Sequence, residues 1–498
     1  MQKSKIKNYY LIKRTVIKLF LIVFYIFLIF LSKIFKNFGL NPIYESIYKG
    51  FIKDKFIRDE NINCDKFDPI FLMGERFKKK PITFCDSKES KHICFQNSKY
   101  NYYNKISRNK YGVLCKIENF IIDPLKSKQT NYIYKGPVDK LTRGAPILSK
   151  GFLNMKCKVQ KKYRGSKIYN HYFKSFNYDY ETKNENFKEL SPGNTVLLLS
   201  RNQDSPNMFH GLSEVINVLS IMYFFKLKPE NIQILFLESM ELQNDPLYEI
   251  YEKIISRGGK PLYIRNIKQK YHITSAIHVP INLDSPVFID LKFPKGYPDC
   301  KYSTQTYNLF NNLIDKYLNI PNFKDSFISD NDIFYYPKSV INNFKSNTIF
   351  KKAITIQWRK VWPEGRKFQK RILGNGPELA DNLSSVLPKN YLIRLVNTAS
   401  LSFIEQISVM RNTDYLIGVH GAGLSLSIFM PPHAILHEIL PKKNIKVLVL
   451  MSALSGHEIY SDIIKSEFKS INNNDYYFFD KIEFTKITLK HIKNKLSN

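Results

Sequence analysis

The sequence predicts an α/β fold: two parallel-sheet halves behind a single N-terminal apolar helix. Three observations carry that expectation. Short apolar runs alternate with helix-patterned stretches, the signature of strands joined by crossover helices. One such run, Asp414-Tyr415-Leu416-Ile417-Gly418-Val419-His420-Gly421-Ala422-Gly423-Leu424, ends in a histidine and two glycines and leads into a new amphipathic stretch. Near the N-terminus, Leu19 to Leu31 has no polar group except the Tyr25 hydroxyl.

As a helix, that first run is about 20 Å long. Extended over 15–35, with Lys18 and Lys33 snorkelling outward, it reaches roughly the 30 Å of a bilayer core. Basic residues before it (Lys3, Lys5, Lys7, Lys13, Arg14, Lys18) outnumber Lys33 and Lys36 after it. Residues 1–14 are therefore expected as a cytoplasmic tail and 15–35 as an uncleaved type II anchor. A cleaved signal peptide is the alternative. It calls for small residues after the apolar core, but no alanine precedes Ala145. The remainder is expected in the lumen of the endoplasmic reticulum or Golgi, and Leu496-Ser497-Asn498 does not resemble a soluble retention signal.

An oxidising lumen gives meaning to the cysteines. Cys64, Cys85, Cys94, Cys115, Cys157 and Cys300 make an even set that suggests disulfides, with a pairing the sequence does not reveal. They form no CxxC pair, so no zinc site is expected among them. Asn382-Leu383-Ser384 is a glycosylation acceptor usable in that compartment. The formal charge of +33 raises nucleic acid as a partner. The lysines, however, are dispersed, with no dense block beyond Lys78-Lys79-Lys80, and a lumenal chain has little access to nucleic acid. A solvated basic surface, or simple compositional drift toward Lys and Asn, accounts for the charge, which can also steer anionic ligands.

Residues 36–130 are polar, cysteine-bearing and without clear periodicity, and are expected as a stem and an irregular region. The first α/β half, 131–330, carries strand-like runs at Thr195–Leu199, Ile232–Leu237 and Leu262–Ile264, and a helix start at Asp245-Pro246. Its most informative helix covers Asn207 to Phe225. Phe209, Leu212, Val215, Ile216, Leu219 and Met222 form the apolar face, while His210, Glu214 and Asn217 fall on the opposite stripe. That stripe either lies on the surface or faces a cleft. The stretch from Leu318 to Lys345 is aperiodic and rich in Asn, Asp and Pro, which places the boundary near 330. The second half, 331–498, starts its strand series at Ile354.

The glycine segment reads as a buried strand, a tight loop and a helix N-terminus. Its glycines admit close backbone approach, and the helix end suits a phosphate. Pro431-Pro432 breaks the segment, and Ala434-Ile435-Leu436-His437-Glu438-Ile439-Leu440 returns as a second strand. The unit is that of a nucleotide-binding half-domain.

Several strings surround that loop: Ile354-Thr355-Ile356-Gln357-Trp358-Arg359, Arg366, Arg371-Ile372-Leu373-Gly374-Asn375, Phe403-Ile404-Glu405-Gln406-Ile407, and Phe429-Met430-Pro431-Pro432 with Glu438 beyond. In this order they resemble glycosyltransferase family 61, densely from about Ile354 to Pro441 and only at scattered positions upstream. The resemblance implies a GT-B-like fold, two Rossmann-like domains facing a cleft. It also implies inverting transfer of GlcNAc or xylose from a UDP-sugar to a glycoprotein or glycan acceptor.

Within that frame His420, Gly421, Ala422 and Gly423 are expected to hold the diphosphate, with Arg359 and Arg371 adding charge-assisted contacts. Glu438 is expected at the ribose hydroxyls. Asn375 and Gln406 match family positions as polar support, although Gly374 lengthens the usual spacing before Asn375. His210 and Glu214 are the candidates for the base that takes the acceptor proton. No cofactor is expected. Asp330-Asn331-Asp332 spells a metal triplet, but it sits in the aperiodic stretch, so an essential divalent metal is not expected. The competing function is a catalytically inactive lectin-like or scaffold protein on the same fold.

Overall fold

A computed structural model gives the architecture. It describes residues 64, 68–77, 81–96, 113–128, 147–160, 172–181, 186–200, 207–237, 247–279, 300, 302–321, 333–346, 349–360, 371–440, 447–472 and 474–496. The expected anchor at 15–35, the Asp245-Pro246 helix start and the Asp330–Asp332 triplet lie outside them. Among the described residues no helix is long and apolar enough to cross a membrane. All described residues belong to one compact unit, 60–498. They form a mixed α/β structure with several sheets.

The first large sheet combines two kinds of strand. Strands β1 (Ile82–Asp86), β2 (Lys91–Gln96) and β3 (Val113–Ile122) form an antiparallel meander. Strands β4 (Thr195–Leu199), β5 (Ile232–Phe236), β6 (Leu262–Tyr263) and β7 (Tyr271–Val279) follow, and the sheet order is β1-β2-β3-β7-β4-β5-β6. The last four strands are parallel, while β7 meets β3 antiparallel. The runs expected at 195, 232 and 262 are thus strands. The region read as irregular, 36–130, supplies three more. β1 and β2 are only five and six residues long, and Lys91, Lys116, Glu118 and Asn119 interrupt the apolar positions of β2 and β3.

The six cysteines pair as Cys64–Cys300, Cys85–Cys157 and Cys94–Cys115. The last of these joins residues directly opposite on β2 and β3.

Helix α1 (Met208–Phe224) starts where expected, with Asn207 as N-cap accepting from the Phe209 N–H. Its surroundings differ from expectation: all residues from Gly211 to Met222 are buried, including Ser213, Glu214, Asn217 and Ser220. The polar stripe is therefore not a solvated surface. The helix packs on one side against Pro69–Phe77 and on another against the 422–429 segment. Helix α2 (Gln305–Tyr317) adds a further side.

The second large sheet has the order β8-β11-β9-β12-β13-β14. These strands are β8 (Phe334–Tyr335), β9 (Lys352–Gln357), β11 (Tyr391–Val396), β12 (Tyr415–Val419), β13 (Ile435–Ile439) and β14 (Glu458–Asp462). Only β8 runs antiparallel. It and the helix Lys338–Lys345 come from the stretch read as aperiodic. Counted in chain order, the five parallel strands run 2-1-3-4-5 across the sheet, a doubly wound arrangement whose switch point lies between β9 and β12. β12 and β13 are buried along their whole length, which is why they read as continuous apolar runs.

Arg394 on β11 has no exposed surface. It donates to Thr355 Oγ1, the Val409 and Asn412 carbonyls and Thr413 Oγ1, tying β9 and β11 to the end of helix α4 (Phe403–Arg411). A short sheet, β10 (Ile372–Leu373) with the hairpin β15 (Ser466–Ile471) and β16 (Asn474–Phe479), lies beside helix α3 (Gly376–Val386). Helix α5 (Lys481–Leu496) packs on α3 and closes the described chain.

Candidate functional site

At a switch point the connections from neighbouring strands leave in opposite directions and open a crevice at the carboxyl ends. Here those ends deliver Gln357-Trp358-Arg359 from β9 and His420-Gly421-Ala422-Gly423 from β12. The two groups touch. A Cβ added at Gly421 would lie 2.1 Å from Arg359 Nη1, and one at Gly423 would lie 2.2 Å from Gln357 Nε2. Gly421 is extended, with φ of 175°, so its glycine is needed for closeness and not for backbone conformation. Arg359 ends in a flexible guanidinium, so a methyl at 421 displaces the charge and leaves the loop itself standing. Gln357 is buried and donates to Thr398 Oγ1 at 3.0 Å.

The segment after the loop is a 3-10 helix, Ala422–Phe429, where an α-helix was expected. Leu424 to Phe429 are all buried, and the Ser425 hydroxyl folds back onto the Ala422 carbonyl. Gly421 provides no side-chain cap, so the first N–H groups retain the orphan-donor character of a helix start.

His420 is nearly buried, and its backbone N–H donates to the Ile439 carbonyl. Its Nδ1 contacts Glu438 Oε1, and Glu438 Oε2 accepts from Ser461 Oγ at 3.1 Å. Glu438 is 1% exposed, so both of its oxygens serve neighbours inside the protein. The carboxylate expected at the ribose instead holds the imidazole, fixing its tautomer and leaving Nε2 for another partner.

Arg371 is half-buried and sits at φ of 70°, a left-handed conformation that is costly for a residue with a Cβ. Burial pulls its guanidinium below the ordinary arginine value, against the opposing pull of Tyr477 and Glu438. The Leu373 N–H donates to the Arg359 carbonyl, and the Gly374 N–H to the Tyr477 carbonyl, so β10 and the β15–β16 hairpin fix both arginine-bearing segments. Arg359, Arg371, His420, Gly421, Gly423 and Glu438 thus share one corner of the second sheet, with Ala422 following in the loop.

The other expected positions lie elsewhere or have internal duties. Asn375 pairs with the Phe479 backbone at both ends of its amide, donating to its carbonyl at 2.8 Å and accepting from its N–H at 3.0 Å. Gln406 is buried and donates to the Leu401 carbonyl. Both brace structure. Asn382 lies inside α3, and its amide donates to the Lys481 carbonyl and Thr485 Oγ1. On α1, His210 is half-buried and Glu214 is 2% exposed. That helix borders the site through its packing on 422–429 and through Ser213 Oγ, 3.9 Å from Met451 Sδ.

Gln357 and Ser461 were missed by the sequence reading. Gln357 ends an apolar strand, where residue type alone points to no contact with the glycine loop. Ser461 faces Glu438 only through the β13–β14 register, which nothing local announces.

With this geometry in view, comparison with known proteins decides the class. Residues 271–436 match the sequence model of the family described as Glycosyltransferase 61. This stretch is similar to the glycosyltransferase 61 family. It contains β9, β12 and the whole His420–Gly423 loop. The chain is also similar to proteins called EGF domain-specific O-linked N-acetylglucosamine transferase: 41% identical over 61 residues to that of Drosophila melanogaster, and 36% over 56 residues to that of Xenopus laevis. The Bos taurus protein of that name is 31% identical over 90 residues. These alignments span 12%, 11% and 16% of both this chain and the relatives. The likeness is therefore confined to residues 271–436 and the short stretches that align with these relatives.

Proposed function

We propose that this chain is an inverting glycosyltransferase of the secretory pathway, transferring GlcNAc or xylose from its UDP form to a glycoprotein acceptor. The observation that carries the reading is the corner where the His420–Gly423 loop meets Arg359 and Arg371 at the switch point of a doubly wound sheet. A leaving UDP needs its growing negative charge stabilised. Unpaired backbone N–H groups, two guanidinium groups and an imidazole suit a pyrophosphate, and guanidinium binds such oxygens through two hydrogen bonds at once. The two large sheets, each with a parallel set, support a GT-B-like layout with the donor on the second.

Glu438 and Ser461 act as positioning residues that orient His420 toward the diphosphate. The acceptor proton is assigned to α1. There His210, half-buried, meets the demand for access better than Glu214, which is almost wholly enclosed. A type II anchor at 15–35 in the Golgi or endoplasmic reticulum, no nucleic-acid partner and no essential metal in the transfer step complete the proposal.

A donor screen tests it. Purified chain lacking the anchor is incubated with UDP-GlcNAc, UDP-xylose and other UDP-sugars, and released UDP is measured with and without acceptor peptides. Turnover of one of the two named donors supports the reading. UDP binding with no turnover of any donor points to the inactive lectin or scaffold.

A further inference from the structure

A second cluster of titratable groups lies on the opposite face of the same sheet. Glu438 and His437 are neighbours on β13, so they point to opposite faces. Glu438 meets His420, while His437 points toward α5. There His437 Nε2 lies 3.2 Å from Asp462 Oδ2 at the end of β14, and His491 Nε2 on α5 lies 2.7 Å from the same oxygen. The ligand atoms of all three residues lie within 4.8 Å of one another. His437 is fully buried, and among the described residues neither of its ring nitrogens makes a hydrogen bond. Its Nε2 is close to the carboxylate without being aimed at it. His491 Nδ1 and the Tyr415 hydroxyl, whose ring lies 6.1 Å from that of His437, are likewise buried without hydrogen-bond partners.

Buried polar atoms left unpaired are costly, and a hydrogen-bonded triad would align its donors. Here His491 alone is hydrogen-bonded to Asp462, and His437 converges on the same carboxylate with both ring nitrogens left over, an arrangement that suits two imidazoles and a carboxylate acting as metal ligands. Tetrahedral zinc with bonds of about 2.0–2.1 Å separates its ligand atoms by roughly 3.3 Å, matched by the 3.2 Å between His437 and Asp462 and reached by a small opening of the 2.7 Å between His491 and Asp462. The Asp462 side chain is 30% exposed, which leaves a water-accessible fourth position. Tyr460 stacks on the His491 ring at 3.7 Å and holds it in place. The other grouping of this kind, His92 with Cys94 and Cys115, has both sulfurs engaged in a disulfide.

We propose that His437, Asp462 and His491 bind one divalent transition-metal ion, zinc being the ion their donors suit, and that this ion pins α5 to the edge of the second sheet. The site is structural and stands apart from the UDP corner, so it holds or fails independently of the proposed reaction.

The test is a zinc titration of the full chain, prepared without a metal-affinity step and stripped with chelator, against a competing indicator. One equivalent bound with Kd below about 1 µM, and a zinc-dependent rise in Tm of several degrees, is the expected result. His491→Gln and Asp462→Asn should each weaken binding at least roughly 100-fold and abolish the Tm response. Wild-type protein that takes up no zinc tighter than about 10 µM overturns the proposal, as does a folded His491→Gln protein that binds like wild type. If either variant fails to fold, the wild-type titration decides alone.

Discussion

Two polar regions of this molecule handle burial in opposite ways. In the antiparallel extension of the first sheet, the buried histidine is locked to its neighbours. His92 has no exposed surface, stacks on Phe176 at 4.4 Å, and shares a hydrogen bond between Nδ1 and the Tyr178 hydroxyl. Two disulfides bracket it. At the corner of the second sheet, polar groups converge instead where the ends of β9 and β12 meet. Arg371 is held in a strained conformation and two glycines give way to neighbouring side chains. The first region is tied by disulfides and ring packing, whereas the second is, in the proposed function, the place a ligand fills. A mutation in one should leave the property of the other intact.

The largest expected effect breaks the first region. The Cys85–Cys157 bridge closes a loop with a sequence separation of 72. Cys85→Ser should cost about 4 kcal/mol of stability by chain-entropy reasoning, read as a lower denaturation midpoint. UDP affinity of the protein that remains folded should not change. A midpoint equal to wild type would show that the bridge is not a main support.

Acid sharpens the same contrast. Burial first, and then the charge of His278, push His92 down from its ordinary value to about 3. The unfolded chain takes up that proton near pH 6.5 while the folded chain resists it, so stability is full above pH 6.5 and falls toward pH 3. The slope contributed by this residue is at most about 1.4 kcal/mol per pH unit. Comparing His92→Phe with wild type across that window measures it: the acid-side slope should flatten in the variant.

A smaller effect is expected at Gly421→Ala, where a methyl meets the Arg359 guanidinium. UDP binding should weaken several-fold, by about 1 kcal/mol, with Tm nearly constant, since an extended backbone tolerates alanine. A large loss of Tm with no loss of UDP affinity would assign the glycine to packing.

How legible each region was follows from the range of its contacts. Strands β12 and β13 and the loop between them were readable because a buried parallel strand is a continuous apolar run and the histidine and glycines sit beside it in sequence. The burial of the α1 polar stripe was not, because helical periodicity shows which residues share a face and not what covers it. Here the covering elements, Pro69–Phe77, Gln305–Tyr317 and the 422–429 segment, all lie far from α1 in sequence. The roles of Asn375 and Glu438 depended on partners 104 and 23 positions away, Phe479 and Ser461. Residue type announced polarity at both, but only the sheet register says whether an amide braces a strand or waits for a ligand. Cysteine pairing was hidden for the same reason: one bridge joins opposed strands and the others span long loops.

The central claim is that Arg359 and the glycine loop grip a pyrophosphate together. Calorimetric titration of UDP into wild type and Arg359→Ala tests it most directly. Wild type should bind one UDP, and the variant should bind it ten- to a hundredfold more weakly, about 1.4–2.7 kcal/mol, with the same Tm. Equal affinity in the two proteins would contradict the account.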